Sequence, residues 1–510
     1  MKNICLISLF ILLIISELAA QVEIWEIQGT TSFSPYLNQT VTTNQNVVTV
    51  VGEDFFFMQT PTYRSDNSPS TSDGIKVVMN TPTVEVGNLI SLTGVVREQF
   101  HRTQFDEGDG LTITVDSVAV ALPLPVILTD FFPSEAAMDL PDLEKVEGML
   151  VQFPQAITTG PTSEYGETPI KIGTTRSFRE AGIIYPAPWS PEWDGNPEVF
   201  EIKLGALGLL DSLLSGGMNL TATGVMDYDF GDYLLLPTEY EITSDAPFRA
   251  VDDPTATQAT IGSLNCFVLS DLESEYVIRR QKVAAYIVDM MKAPDILAVQ
   301  EVRGLSVLQD LANLIKTNHP DINYTPYLIS NGMSGGFVIN VGYLVRNTVS
   351  NVQVTQLGAD EPFSLGGKLH YRPPLLLEAT WNSTPPKPIK VLNLHLKSLN
   401  GIAGGNSTEV RTRRYEQSIS VAHMVEANIN ENLVVVGDFN AFPFTDGYVD
   451  VVNQIAGTPS LGAEYPVQNI VSFPLTNFST SVAKKEQYSY VYQGNAQILD
   501  HCLGADFQGL

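Results

Sequence analysis

Read by the spacing of apolar and polar positions, the chain changes character near residue 257. From Val22 to Arg249 the apolar residues fall in short alternating or β-branched runs, such as Val47–Val51, Phe55–Met58, Ile75–Met79 and Leu89–Val96, separated by Gly, Pro, Asn, Asp and Ser. Strands at that spacing predict an all-β sandwich or barrel. Ser91-Leu92-Thr93-Gly94-Val95-Val96 is echoed by Asn219-Leu220-Thr221-Ala222-Thr223-Gly224-Val225-Met226. The echo divides this half into two modules, 21–121 and 122–250, joined in the Pro-rich stretch Leu122-Pro123-Leu124-Pro125. Residues 251–257, with Asp252-Asp253-Pro254, read as a polar linker.

Beyond the linker, from 258 to 510, strand and helix patterns alternate. Ile261–Leu269 is strand-like, interrupted by one amide, Asn265. Val277, Ala284, Ile287, Val288 and Met291 recur at helical spacing between Glu275 and Lys292, which predicts an amphipathic helix. Pro294–Val302 then reads as a buried strand ending in Glu301. Strand, helix and strand over this length suggest a crossover unit in an α/β layer fold. Leu433-Val434-Val435-Val436 predicts a strand buried on both faces, and Gly437 lets the backbone turn at its end. Asp438 and Asn440, two positions apart on extended chain, are expected to project to one side. A lone Gly-Asp-x-Asn is more often a turn that caps a strand, so its neighbours must decide.

The composition narrows the setting. Met1-Lys2-Asn3, the apolar run Ile4–Ile15 and the small residues before Gln21 describe a secretory signal peptide over 1–20, with cleavage expected after Ala20. No later segment is apolar enough to predict membrane insertion, so an exported protein, extracellular or periplasmic, is expected. Only Cys266 and Cys502 remain after signal removal; buried free thiols are the plain reading and one disulfide the other. Residues 1–257 hold 35 acidic and 11 basic side chains, a balance of −24, against 22 and 17, or −5, in 258–510. An acidic half repels polyphosphates at long range, so contact with nucleic acid requires local basic or aromatic patches or divalent cations.

Several apolar strands each carry one group able to do chemistry. The ordered set is Asn265, Gln300-Glu301, Arg372-Pro373, Asn393-Leu394-His395, Gly437-Asp438-Phe439-Asn440 and Leu499-Asp500-His501. This order resembles the endonuclease/exonuclease/phosphatase superfamily with the DNase I-like fold, and most of all its secreted bacterial nuclease branch. Upstream, Ile27-Gln28-Gly29-Thr30, Phe55–Thr60 and Ser70–Ile75 resemble the OB-fold-like domains that precede the catalytic domain in that branch. Phe55, Phe56, Phe57 and Tyr63 could stack on bases there, although so few Lys and Arg favour a spacer role. The resemblance implies a multidomain protein, all-β OB-like modules followed by an α/β four-layer sandwich.

It also implies roles. Glu301, with Asn265 beside it and Asp438 sharing, would hold Mg²⁺ or Mn²⁺; a structural Ca²⁺ is a further option. Asp438 would orient or deprotonate the attacking water, and Asn440 would bond the phosphoryl group. His395 would stand near the leaving group, and Arg372 offers a planar fork for phosphate. Asp500 would orient the histidine of a later Ser-Asp-His segment. No such triplet occurs in these 510 residues, and His501 is expected to face away from Asp500's side of the strand. The implied activity is metal-dependent hydrolysis of phosphodiester bonds in extracellular DNA or RNA, with nucleic acid as the substrate and no protein partner identified. A phosphodiesterase or phosphatase of lipids or small phosphoesters, and a non-catalytic surface or biofilm protein, are the alternatives. The chain is expected to be truncated at its carboxyl end. Reading the coding frame past Leu510 should reveal a strand containing Ser-Asp-His; a stop codon there would refute the truncation.

Overall fold

The computed structural model describes residues 20–183, 192–246, 249–255, 257–332, 338–429 and 432–505. The signal-peptide reading falls almost wholly outside them. Contacts divide the chain into two compact units: 1–174 with 197–245, and 175–196 with 246–510.

The first unit is all β and contains two closed five-stranded barrels. The first comprises β1 (Thr40–Val51), β2 (Phe55–Gln59), β3 (Gly74–Val78), β4 (Leu89–Gln99) and β5 (Arg102–Asp106), in the order β1-β2-β3-β5-β4, with β4 returning to β1. The second comprises β6 (Leu150–Thr158), β7 (Thr168–Ile172), β8 (Phe200–Ile202), β9 (Asn219–Asp229) and β10 (Asp232–Ser244), in the order β6-β7-β8-β10-β9, closed by β9 on β6. Each barrel has one parallel pair, β3 with β5 and β8 with β10. The echoed sequence therefore falls on the fourth strand of each barrel. Each barrel has its own core, and a further cluster of Val50 and Phe57 with Leu150, Val225, Leu234 and Leu236 packs one barrel on the other. At that junction a Cβ on Gly74 would lie 2.1 Å from the Gly148 carbonyl carbon, so only glycine permits the approach.

Phe56 and Phe57 are fully buried, and Phe55 packs edge-on against Phe57. The expected stacking platform is thus absorbed by the core and only Tyr63, 78% exposed, is free to face a ligand. The alternating pattern that marks a strand does not tell a barrel's inner face from a binding face.

The second unit is α/β. One sheet comprises β11 (Ile261–Leu269), β12 (Ile296–Val302), β13 (Tyr324–Leu328) and β14 (Asn340–Arg346), ordered β11-β12-β14-β13. The other comprises β15 (Val349–Gln356), β16 (Leu375–Trp381), β17 (Lys387–His395), β18 (Leu433–Asp438), the short β19 (Thr476–Asn477) and β20 (Asp500–Gly504), ordered β15-β16-β17-β18-β20-β19. Ile296, Ala298, Tyr343 and Val345 of the first sheet pack against Leu375, Leu377, Val391 and Val436 of the second. The opposite face of the first sheet is covered by α1 (Tyr276–Ala285) and α2 (Leu305–Asn318), and that of the second by α3 (Ser407–Asn428) and α4 (Val451–Ala456). Among the described residues no helix is long and apolar enough to cross a membrane. Cys266 and Cys502 are both free thiols, and burial pushes them up to about 12 and about 11.

Three expectations are corrected. The second β module is not continuous, because Thr175–Asn196 leaves it and packs with the α/β unit, where Ile183 joins the core beneath α3 and α4. Residues 251–255 are not a free tether: the Val251 N–H donates to Met290 O at 2.9 Å and Asp253 lies 3.6 Å from Lys292 Nζ. The residues that made the stretch look like a linker, a flanking backbone donor and an acid, are the ones that find partners. The helix face expected through Val277 starts later. Val277 is 56% exposed, while Ala284 and Ile287 are buried where the helix widens into a π-turn over Tyr286–Met290.

The barrel junction also buries acid. Glu147 is 2% exposed; its Oε1 accepts the Thr103 N–H at 3.2 Å, and its Oε2 has no partner among the described residues. Burial, reinforced by the charge of Glu144, holds Glu147 well above the carboxylate range, and burial pushes Glu144 up to about 7. A carboxyl raised on folding contributes stability below its unfolded pKa, near 4.5, and loses it as pH rises through the folded value. Glu147→Gln should therefore stabilise the protein at pH 8 by ~1–3 kcal/mol and change little at pH 4, read from urea unfolding at the two pH values.

Candidate active site

The carboxyl ends of β12, β17 and β18 meet at one edge of the two sheets. Within the larger sheet, strand register aligns His395 with Asp438 and Asp438 with Asp500, so three adjacent strands set one row of polar groups. From the smaller sheet, Asn265 pairs in register with Gln300, and Leu269 with Val302. Between those pairs three residues of β11 face the single residue Glu301. That bulge puts Phe267, Val268 and Glu301 at φ of +49°, +54° and +58°. A β-branched valine in the left-handed region is strained, and bulges of this kind re-aim side chains beside sites. Here the Val268 N–H donates to Glu301 Oε2 at 3.0 Å and fixes the carboxylate.

Asp438 and Asn440 do not project together from an extended strand, as the sequence suggested. Gly437 at φ +131° and Asn440 at φ +48° turn the chain, and the Asn440 N–H donates to Asp438 Oδ1 at 2.7 Å. The capping turn and the polar cluster are the same structure. A Cβ on residue 437 would lie 2.1 Å from Leu394 O, so the turn requires glycine. Asn440 then directs its amide to Leu396 O at 3.2 Å.

The Asn265 amide donates to Asp438 Oδ2 at 3.0 Å and to Glu301 Oε1 at 3.2 Å, bridging the sheets. His395 Nε2 lies 3.6 Å from both Glu301 Oε1 and Asp438 Oδ2, and its buried Nδ1 has no partner among the described residues. Ligand atoms of Glu301, His395 and Asp438 all fall within 4.8 Å of one another, the only such His/Cys/Asp/Glu group found among the described residues. Two carboxylates, a neutral imidazole and a bridging amide fit a divalent cation that prefers oxygen donors.

Burial sets the electrostatics. It pushes Asp438 up to about 6, against hydrogen bonds from Asn440 and Asn265 that hold the carboxylate down. Asp500 is pushed up to about 7, first by burial and then by the charge of Asp438, and its Oδ1 has no partner among the described residues. Burial, with Arg372 beside it, holds His395 well below the usual imidazole range, so the ring is neutral.

Arg372 is placed differently from a free phosphate fork. Its Nε and Nη2 donate to His395 O at 3.1 Å and Leu396 O at 2.6 Å, so it fixes the end of β17 and contributes charge. His501 lies on the other side of β20, with Asn477 Nδ2 2.9 Å from its Nδ1 and Ala441 O 2.8 Å from its Nε2.

Some residues on which the site depends carry no signal in the sequence. Arg414, inside the polar-looking helix α3, donates from Nη1 to Lys397 O and Asn440 O, both at 2.7 Å, and from Nη2 to Asp446 Oδ2 at 2.8 Å. It ties the two active-edge loops together from beneath. Arg413 donates to Lys368 O and Leu369 O and stacks on Phe363 and Tyr371, holding the loop that leads to Arg372. A run of arginines on a helix ordinarily reads as a solvated face; only the carbonyls brought in by other loops explain its burial.

A family model described as Endonuclease/Exonuclease/phosphatase family matches residues 262–484, and one described as Domain of unknown function (DUF8508) matches residues 124–246. No curated protein matches the chain. Among solved structures, an endonuclease/exonuclease/phosphatase from Bacteroides vulgatus is 14% identical at TM-score 0.32, covering 48% of this chain and 85% of that one. A β-hairpin deletion mutant of beta toxin from Staphylococcus aureus is 15% identical at TM-score 0.32, over 49% and 88%. A 3′ phosphatase, NExo, from Neisseria bound to a product DNA hairpin is 16% identical at TM-score 0.30, over 49% and 87%.

Removing one partner of the buried Arg414–Asp446 pair leaves the other charged and unsolvated. Arg414→Met should cost ~3–5 kcal/mol in urea unfolding, and Arg414→Met with Asp446→Leu should recover part of it.

Proposed function

Because the carboxyl-terminal unit belongs to the endonuclease/exonuclease/phosphatase family, whose members are hydrolases of phosphoesters, we propose that this protein is a secreted, divalent-metal-dependent nuclease that hydrolyses phosphodiester bonds of extracellular DNA or RNA. The observation that carries the reading is the convergence of Glu301, His395 and Asp438 at one sheet edge, with Asn265 spanning the carboxylates. The export-signal pattern of residues 1–20 supports secretion. The strand order shared by the two barrels supports OB-like modules, and two facing sheets with outer helices support a four-layer sandwich.

The mechanism follows from the chain's own groups. Glu301, Asp438 and His395, steadied by Asn265, would hold a cation such as Mg²⁺ or Mn²⁺, which when bound neutralises phosphoryl oxygens and favours an ionised water. Asp438, raised but mostly ionised at neutral pH, is placed to orient water and take its proton. Arg372 supplies fixed positive charge behind His395 and Asp438, stabilising negative charge that grows on the phosphoryl group. Asn440 is held by Asp438, Leu396 and Arg414, so its amide arrives at the edge already oriented. Asp500 adds a second carboxyl beside Asp438, poised near neutrality to hold a proton or to orient a donor.

Nicking of supercoiled plasmid DNA in a metal series, with release of phosphate from small esters run in parallel, tests the reading. Mg²⁺ or Mn²⁺ should support nicking and EDTA should abolish it. Asp438→Asn and Glu301→Gln should each lower the rate by ~10²–10⁴-fold. Phosphate release with plasmid left intact would move the assignment to a small-ester phosphatase. Loss of neither activity in the double variant would make the fold a binding scaffold.

A further inference from the structure

Close to Asp500 the chain forms a hairpin of two short strands, Tyr490–Tyr492 and Asn495–Gln497. Tyr490 and Tyr492 are 46% and 52% exposed, and the pleat puts them on one face. The hairpin is fixed to the candidate site: Ser489 Oγ accepts the backbone N–H groups of Leu499 at 3.0 Å and Asp500 at 3.1 Å, and Asp500 is in register with Asp438. Two aromatic rings about half exposed on one face of a strand offer a surface on which planar groups can stack.

The surroundings are basic. The Arg176 guanidinium lies 4.6 Å from the Tyr488 ring centroid, and Lys484 Nζ lies 4.7 Å from that of Phe178. Lys485 is exposed next to Lys484, and the acid between these lysines and the tyrosines, Glu486, is paired with Arg249 at 3.2 Å. In a chain of net charge −29 this is a local reversal of sign. Exposed aromatic faces beside lysines and arginines are what a single-stranded polynucleotide requires: bases stack on the rings while cations track the phosphates. Paired bases in a duplex present no free face to stack.

Resting on the nuclease reading above, we infer that the Tyr490–Tyr492 face, with Lys484, Lys485 and Arg176, binds an unpaired nucleic-acid segment adjoining the scissile phosphate, and so favours single-stranded substrates.

The test is fluorescence anisotropy of a labelled 12-nucleotide oligo-dT and a duplex of equal length, with the full chain in a D438N background so that neither is consumed. Tyr490→Ala with Tyr492→Ala should weaken oligo-dT binding at least tenfold and duplex binding less than threefold. Tyr490→Phe with Tyr492→Phe should stay within threefold on both, because stacking needs the ring and not the hydroxyl. Lys484→Gln with Lys485→Gln should flatten the dependence of log K on log salt by ~1. The alanine pair should unfold in urea at the parental midpoint, which separates a lost surface from a misfolded protein. Unchanged oligo-dT affinity in the alanine pair, or equal losses on strand and duplex, would overturn this inference; plasmid nicking by the parent would then leave the nuclease reading standing. A parent that neither nicks plasmid nor binds oligo-dT would overturn both.

Discussion

One buried pair of amides ties the two sheets of the α/β unit beside the edge that carries Glu301 and His395. Gln300 Nε2 donates to Asn393 Oδ1 at 2.7 Å, and Asn393 Nδ2 donates onward to Val299 O at 3.1 Å and Gly342 O at 2.9 Å. Both side chains are wholly buried, so each unmet group would carry the full cost of desolvation. Apolar sheet faces can slide over one another at little cost; hydrogen-bonded amides cannot. Since Glu301 follows Gln300 and His395 lies two residues beyond Asn393, the amide pair sets how Glu301 and His395 of the two sheets meet. Tyr343 reinforces the lock by donating to Leu375 O and Val391 O.

With the sheets fixed, the remaining aim comes from backbone that departs from the strand. The bulge at Phe267–Val268 and the left-handed Glu301 and Asn440 cost conformational energy, and they persist because hydrogen bonds on every side over-determine them. The edge is therefore held by the chain's own hydrogen bonds. Stiffness matters where carboxylates repel: the charge of Asp438 raises Asp500, that of Glu301 raises both, and only a held geometry keeps them side by side.

Much of this was legible in the residues. A carboxylate or an imidazole closing an otherwise apolar strand stands out, as with Glu301 in Ile296–Val302 and His395 in Lys387–His395, and family order gave those residues roles. The barrels' strands followed from alternation, and the repeat from the echo between Ser91–Val96 and Asn219–Met226. What could not be read depends on partners distant in sequence. Phe56 and Phe57 look like ligand-facing aromatics until the barrel closes around them. Arg413 and Arg414 look solvated until the chain at Lys368–Leu369, Lys397 and Asn440 brings its carbonyls to them. The Asp438–Asn440 pair looked extended because a strand pattern says nothing of the dihedral angles at its end.

The segment 175–196 has a consequence for how the chain reaches this structure. It is synthesised between two strands of a β barrel, yet its partners lie roughly three hundred residues later: Arg179 N–H donates to Ala496 O, Ala496 N–H donates to Ser177 O, and Asn196 Nδ2 donates to Asn495 Oδ1. Neither unit is a continuous run of sequence, so during synthesis segment 175–196 cannot find its partners in the second unit until Asn495 and Ala496 emerge. Closing so long a loop is slow relative to local contacts, and the segment waits with apolar Ile183 uncovered. The edge that carries Asp500 therefore closes against segment 175–196 only after residues 495–497 have been made, which keeps that edge unassembled through the synthesis of everything between them.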